Sequence, residues 1–123
     1  MTRAEFVERL ILNSMCDDYE NVDQVILRDV AETAARCGLK IERSEVVERL
    51  RSLVAAGLAK AYDLSVDPSR ELEGMPPLDV PEEDFRTYFY PTEKGMALHE
   101  SDGSWWPLDE NGEVRSDWER PRD

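Results

Sequence analysis

The side chains best suited to covalent or metal chemistry are few, and their spacing is informative. His99 is the only histidine. It falls near the end of a short helical stretch, where solvation or capping of the helix end suits it better than catalysis. Cys16 and Cys37 show no C-x-x-C spacing and have no histidine beside them. Cys37 falls on an apolar helical position, so both read as buried free thiols. No serine or cysteine stands at a motif-like distance from His99, which leaves nucleophilic catalysis without its base. The carboxylate runs Asp17-Asp18 and Glu82-Glu83-Asp84 lack the pattern of an EF-hand or a zinc site, and "DENGEV" carries its glycine at the wrong position for a calcium loop. There is no glycine-rich phosphate loop. The sequence predicts no enzyme, no cofactor and no metal site, and no small-molecule site is evident in it.

Recognition has better candidates. Trp105, Trp106 and Trp118 crowd the last part of the chain. Indole is costly to leave in water and is enriched in the centres of protein interfaces. Two readings stand. The tail folds back over the domain's own apolar surface, or the tryptophans anchor a second subunit or another protein. The Asn111-Gly112 pair between aromatic-bearing flanks predicts a hairpin turn in this tail.

The elements that must position these residues follow from periodicity. Thr2 and Glu5 form a capping box, and Phe6, Val7, Leu10, Ile11 and Met15 then recur on one helical face over residues 3–16. Asn21 caps a second helix, with Gln24 completing a box, and Val22, Ile26, Val30, Ala34 and Cys37 repeat up to Gly38. Ser44 is placed to cap a third helix, whose buried stripe is Val46, Leu50, Leu53 and Val54 and whose end is Gly57. "LAKAYDLSV" and "FRTYFY" read as two strands of a hairpin. Between them lies "DPSRELEGMPPLDVPEED", whose four prolines and dense acids exclude regular secondary structure. Thr92 caps a short closing helix over residues 93–100, and Gly95 allows that helix a close backbone approach. The order is α+β.

Three stretches in this order resemble a winged helix-turn-helix domain, broadly similar to MarR-like and PadR-like bacterial regulators. "LRDVAETAARCGL" (27–39) is similar to the first helix and turn of the motif. "SEVVERLRSLVAAGLAKAY" (44–62) is similar to the second. "FYPTEKG" (89–95) resembles the L-T-x-x-G that closes the wing, with Pro91 where the family has an apolar residue. The resemblance spans about residues 3–100. It implies a winged-helix domain over 1–100: three helices, a wing of two or three strands with an extended acidic loop at about 65–85, and a short closing helix. Residues 101–123 form a tryptophan-bearing extension, a hairpin packed on the domain or on a partner.

The fold's usual partner is duplex DNA, read by the helix at 44–56. On that helix the expected outward set is Arg43, Glu45, Val47, Glu48, Arg51 and Ser52. Lys40, Arg43, Val47 and Arg51 are the candidate nucleic-acid contacts, and Arg28 and Arg36 could widen a basic patch. The charge balance speaks against DNA. The chain carries −13 overall. Residues 1–63 hold 9 basic and 12 acidic side chains, whereas residues 64–123 hold 6 and 16. Phosphate attraction needs cations on the reading face, but Glu45 and Glu48 lie there, and the wing loop has Arg70 as its only basic residue. The sequence therefore favours a non-catalytic module that recognises a protein, itself included through a homodimer. A transcriptional regulator binding duplex DNA is the alternative. With no membrane-spanning run and no signal-peptide pattern, the sequence reads as cytoplasmic.

Overall fold

A computed structural model describes residues 1–82 and 85–123. It is an α+β arrangement of four α-helices and a three-stranded antiparallel sheet. The first helix, α1, spans Arg3–Ser14. Its capping box is reciprocal: Thr2 Oγ1 accepts from Glu5 N at 3.1 Å, and Thr2 N donates to Glu5 Oε1 at 3.0 Å. Phe6, Val7, Leu10 and Ile11 are buried on one face, as the spacing predicts. The helix stops two residues short of the expected 16.

Asn21 caps the next element, accepting from Gln24 N at 2.7 Å. The box closes differently from the usual one, because Asn21 Nδ2 donates to the Gln24 side chain. A π-helical turn, Val22–Ile26, leads directly into α2, Leu27–Arg36. Gly38 then takes φ +75°, a left-handed conformation that ends the helix with little strain. Helix α3 spans Arg43–Ala55. It begins one residue before the expected Ser44 cap. Glu42 holds the extended capping conformation and makes no side-chain cap bond. The entry is fixed by tertiary contacts instead, with Ile41 in the core and Arg43 bonded to Asp23. Arg3 and Arg49 tie α1 to α3 through Glu45 (2.8 Å) and Glu8 (3.1 Å).

Strands β1 (Ala59–Asp63), β2 (Arg70–Glu71) and β3 (Thr87–Pro91) lie in the order β2-β1-β3. Ala59 pairs with Pro91, Ala61 with Phe89 and Asp63 with Thr87. These residues are buried and point toward the helices, while Lys60, Tyr62, Tyr88 and Tyr90 point away. Strand β2 corrects the expectation that the proline-rich stretch lacks regular structure. Prolines at 68, 76, 77 and 81 leave Arg70 to Leu72 free to donate, so Glu71 pairs with Tyr62 and Leu72 N reaches Ala61 O at 2.9 Å. The outer edge of β3 is covered where Glu20 and Phe89 exchange two backbone bonds of 3.1 and 2.8 Å.

The closing helix, α4, spans Glu93–Ser101 and is locked to the turn after α3. Thr92 Oγ1 accepts from Gly95 N at 3.1 Å and donates to Gly57 O at 2.7 Å. Thr92 N also donates to Leu58 O at 3.1 Å. A Cβ on Gly95 would lie 1.9 Å from Leu58 O. The threonine and glycine of T-x-x-G thus serve one contact, the first by bonding and the second by leaving space.

Gly95→Ala should destabilise the protein. Alanine gains roughly 1 kcal/mol of helix propensity over glycine. The clash falls on backbone that cannot swing aside, so a net loss of about 2–4 kcal/mol is expected in urea unfolding. A variant as stable as the parent would show that α4 does not sit against Leu58.

Candidate functional site

Part of the surface of α3 expected to face outward is occupied by the chain itself, while Ser44, Glu48 and Arg51 stay exposed. Segment 77–80 of the acidic loop lies along the first two turns of this helix. Arg43 donates to both oxygens of Asp23, at 2.7 and 3.2 Å, and to Leu78 O at 2.6 Å and Val80 O at 3.2 Å. The pair is sheltered, with side-chain exposures of 18% for Arg43 and 16% for Asp23. Arg51 donates to Pro77 O at 2.9 Å. Leu78 is buried at φ +49°, an unusual conformation for a branched side chain. Together Arg43, Ser44, Val47, Glu48, Arg51, Leu78 and Asp79 line a concavity of about 320 Å³.

Several expected outward positions therefore need correction. Val47 is 5% exposed and, like Leu78, belongs to the buried apolar cluster, the two lining the same concavity. Glu45 turns back to α1, where Arg3 holds it at 2.8 and 3.0 Å. Arg43 is engaged with the loop and with Asp23. Lys40 is exposed and lies 3.4 Å from Glu42. The wider basic patch is not assembled either. Arg28 faces Asp29 at 3.4 Å, and Arg36 donates to Gly112 O at 3.0 Å. Glu48 does stay exposed, beside Arg49 at 3.3 Å.

The tryptophans converge on α1. Trp105 is 8% exposed, and its ring meets Phe6 edge-on at 6.3 Å. Trp118 lies 5.6 Å from the same Phe6 ring, and Trp106 packs edge-on to Trp105 at 5.4 Å. Arg9 sits 6.0 Å over Trp105. The Asn111-Gly112 turn forms, but with a single antiparallel bridge, Leu108 to Val114, rather than two extended strands. Asp109 organises it by accepting from Asn111 N and Glu113 N at 2.8 and 3.0 Å. The tail then returns to the start of α1, where Arg3 N donates to Arg122 O at 2.6 Å. A concavity of about 370 Å³ remains between Trp105, Trp118, Arg115 and the acids Asp102 and Asp117.

The sequence reading passed over a third surface. All four tyrosines gather on the outer face of the sheet. Tyr62 and Tyr88 are cross-strand partners, and Tyr90 follows two residues along β3. Tyr19, from the loop before α2, stacks on Tyr90 at 4.8 Å and meets Tyr62 edge-on at 5.0 Å. Burial raises the Tyr62 phenol above its ordinary range, with Tyr19 and Glu71 adding to the effect. The Tyr88, Tyr90 alternation opposite Tyr62 was a legible signal. The arrival of Tyr19 depends on the Glu20 bridge to Phe89 and was not.

The groups considered for chemistry are dispersed. His99 is half-buried in α4, and its Nδ1 bonds no protein group. Both cysteines are free. Burial raises each thiol above its usual range, and Asp17 pushes Cys16 further, so neither is poised as a thiolate. Among the described residues, no three His, Cys, Asp or Glu side chains converge in a way that could hold a metal ion. Glu83 and Asp84 of the acidic run lie outside the described residues.

Two outcomes test this geometry. Arg43→Ala leaves Asp23 sheltered without its cation and frees two carbonyls, so a loss of about 2–3 kcal/mol is expected in urea unfolding. Cleavage after Arg70 by trypsin should also quicken; unchanged stability and cleavage would mean that the loop is not held by Arg43. Deleting residues 101–123 uncovers Phe6. It should lower the melting temperature while leaving the solution mass that of the same oligomer, whereas a tail that anchored a second subunit would lower the mass as well.

Among the described residues, no helix is long and apolar enough to cross a membrane. Compared with protein-family models, curated proteins and solved structures, the chain matches none.

Proposed function

We propose that this chain is a non-catalytic winged-helix module that recognises a protein partner. The element order supports the winged-helix part of the reading. Helices α1 to α3 precede a β1–β3 hairpin with a long loop, and a T-x-x-G then starts the closing helix. The positive φ of Gly38 between α2 and α3 suits the turn of a helix-turn-helix.

The single observation that carries the choice of partner is the occupation of α3 by segment 77–80. Three of the four residues suited to DNA contact are spent within the chain: Arg43 on Asp23, Leu78 and Val80, Arg51 on Pro77, and Val47 in the core. What faces solvent there includes Glu48 and Asp79. Arg51 is exposed beside these acids but has one of its nitrogens bonded to Pro77 O, so a duplex approaching this face meets one guanidinium among like charges, whereas non-specific DNA affinity requires neutralisation of several phosphates. A protein partner has no such requirement, and an acidic surface favours one with basic character. A homodimer is opposed by the −13 that each copy carries.

An electrophoretic shift against random duplex DNA tests the reading. No shift is expected at physiological salt. Micromolar binding that falls steeply with salt would overturn it in favour of a DNA-binding regulator, and Arg51→Ala should then weaken that binding.

A further inference from the structure

We propose that the tyrosine face of the sheet docks an extended, arginine-bearing segment of a partner protein. The inference rests on the partner-recognition reading and names where and what that partner touches.

The face is built by alternation. With Ala59, Ala61 and Asp63 of β1 and Thr87, Phe89 and Pro91 of β3 turned inward, Lys60, Tyr62, Tyr88 and Tyr90 must turn outward. Tyr19 then joins them from a loop, held by the two backbone bonds between Glu20 and Phe89. The rings are not absorbed into the core. Tyr19 is 37% exposed, and Tyr62, Tyr88 and Tyr90 are half-buried. Tyr19 stacks on Tyr90 and meets Tyr62 edge-on, which orders these three rings before any partner arrives, so little of their side-chain entropy is lost on binding. Tyrosine also offers both a ring face and a hydroxyl, which suits it to contact with mixed polar and apolar segments.

Charge selects the occupant. Lys60, the outward-pointing cation of β1, is neutralised by Glu71 at 2.7 Å. The Asp18 carboxylate lies at the backbone of Tyr19, accepting from Tyr19 N at 2.7 Å, and burial together with Asp18 and Asp29 raises the Glu20 carboxyl pKa against an opposing effect of Arg28. Arg70 and Arg86 lie toward Asp63 at the end of the hairpin, at 3.8 and 3.2 Å from its carboxylate. A nucleic acid brings the wrong sign, and a second copy brings another −13. A cation fits, and guanidinium fits better than ammonium, because its plane stacks on an aromatic face while its edge donates to carboxylates. The segment must lie across the face, because the outer edge of β3 is already taken at Phe89 by Glu20 and cannot receive an added strand there.

The test is a titration of the full, isotope-labelled chain with a short arginine-glycine-serine repeat peptide, followed by amide shifts. Shifts are expected around Tyr19, along Lys60 to Tyr62 and along Tyr88 to Tyr90. The double variant Tyr19→Ser with Tyr90→Ser should weaken binding about tenfold, whereas Tyr90→Phe should not, and the lysine version of the peptide should bind less tightly. If circular dichroism shows the double variant unfolded, Tyr19→Ser alone makes the same comparison. Equal binding by the serine variants, shifts confined to the acidic loop or the tail, or no binding would overturn the tyrosine face as the site. Those outcomes leave the partner-recognition reading standing, since only the duplex shift experiment removes that.

Discussion

One guanidinium, that of Arg43, holds together the parts of the molecule that bear on function. It reaches Asp23 at the entrance to α2, stands at the start of α3, and collects the carbonyls of Leu78 and Val80 from the far loop. A cation sheltered this far must be bonded on several sides or it costs more than it gives. Here the several sides are the reason the loop lies where it does. With Arg43 engaged in this way, Leu78 joins the apolar cluster that holds Val47, Arg51 bonds Pro77 O, and part of the face of α3 is taken by the loop. The acidic loop is thus part of the domain's surface rather than a strand connector hanging in solvent.

The two ends of the fold are closed by different physics. At one end, α4 meets the α3–β1 turn by backbone against backbone, with Gly95 supplying the missing side chain and Thr92 the bonds. Such contacts tolerate no added volume. At the other end, Phe6 is covered by Trp105 and Trp118, and the return of the tail to Arg3 completes the seal. That closure is largely aromatic, and it leaves a concavity beside the indoles. Between them the sheet has one face in the core and one in solvent. Its solvent face is aromatic where most such faces are polar, which is why it stands out as a surface for recognition.

The charge distribution joins these observations. The basic residues that might have served a nucleic acid are used inside the molecule: Arg3 on Glu45, Arg49 on Glu8, Arg43 on Asp23, Arg36 on Gly112. The acids outnumber the bases, 28 to 15, so most of their charge has no cation to pair with. A chain of −13 that binds its own cations presents a strongly negative field to any visitor. That field favours basic partners and disfavours phosphate, whichever surface makes the contact.

Most of the secondary structure was legible in the sequence, because capping and periodicity are local. Thr2 with Glu5, Asn21 with Gln24 and Thr92 with Gly95 each act within four residues, and the buried stripes of α1 and α2 follow from spacing, as do Val46, Leu50 and Leu53 of α3, whereas Val54 is only partly buried. The sequence by itself also determined the net charge of −13 and the presence of a single histidine and two cysteines. What it could not determine was where long-range partners would lead. Val47 and Glu45 were read as outward because nothing near them in sequence says otherwise; one lies in the apolar cluster that Leu78, 31 residues on, also joins, and the other is held by Arg3, 42 residues back. Strand β2 escaped notice because the prolines around it mask a pairing of only two residues. Tyr19 joined the sheet face only through a backbone bridge to Phe89. In each case the deciding contact joins distant parts of the chain, and only the tertiary structure brings those parts within reach.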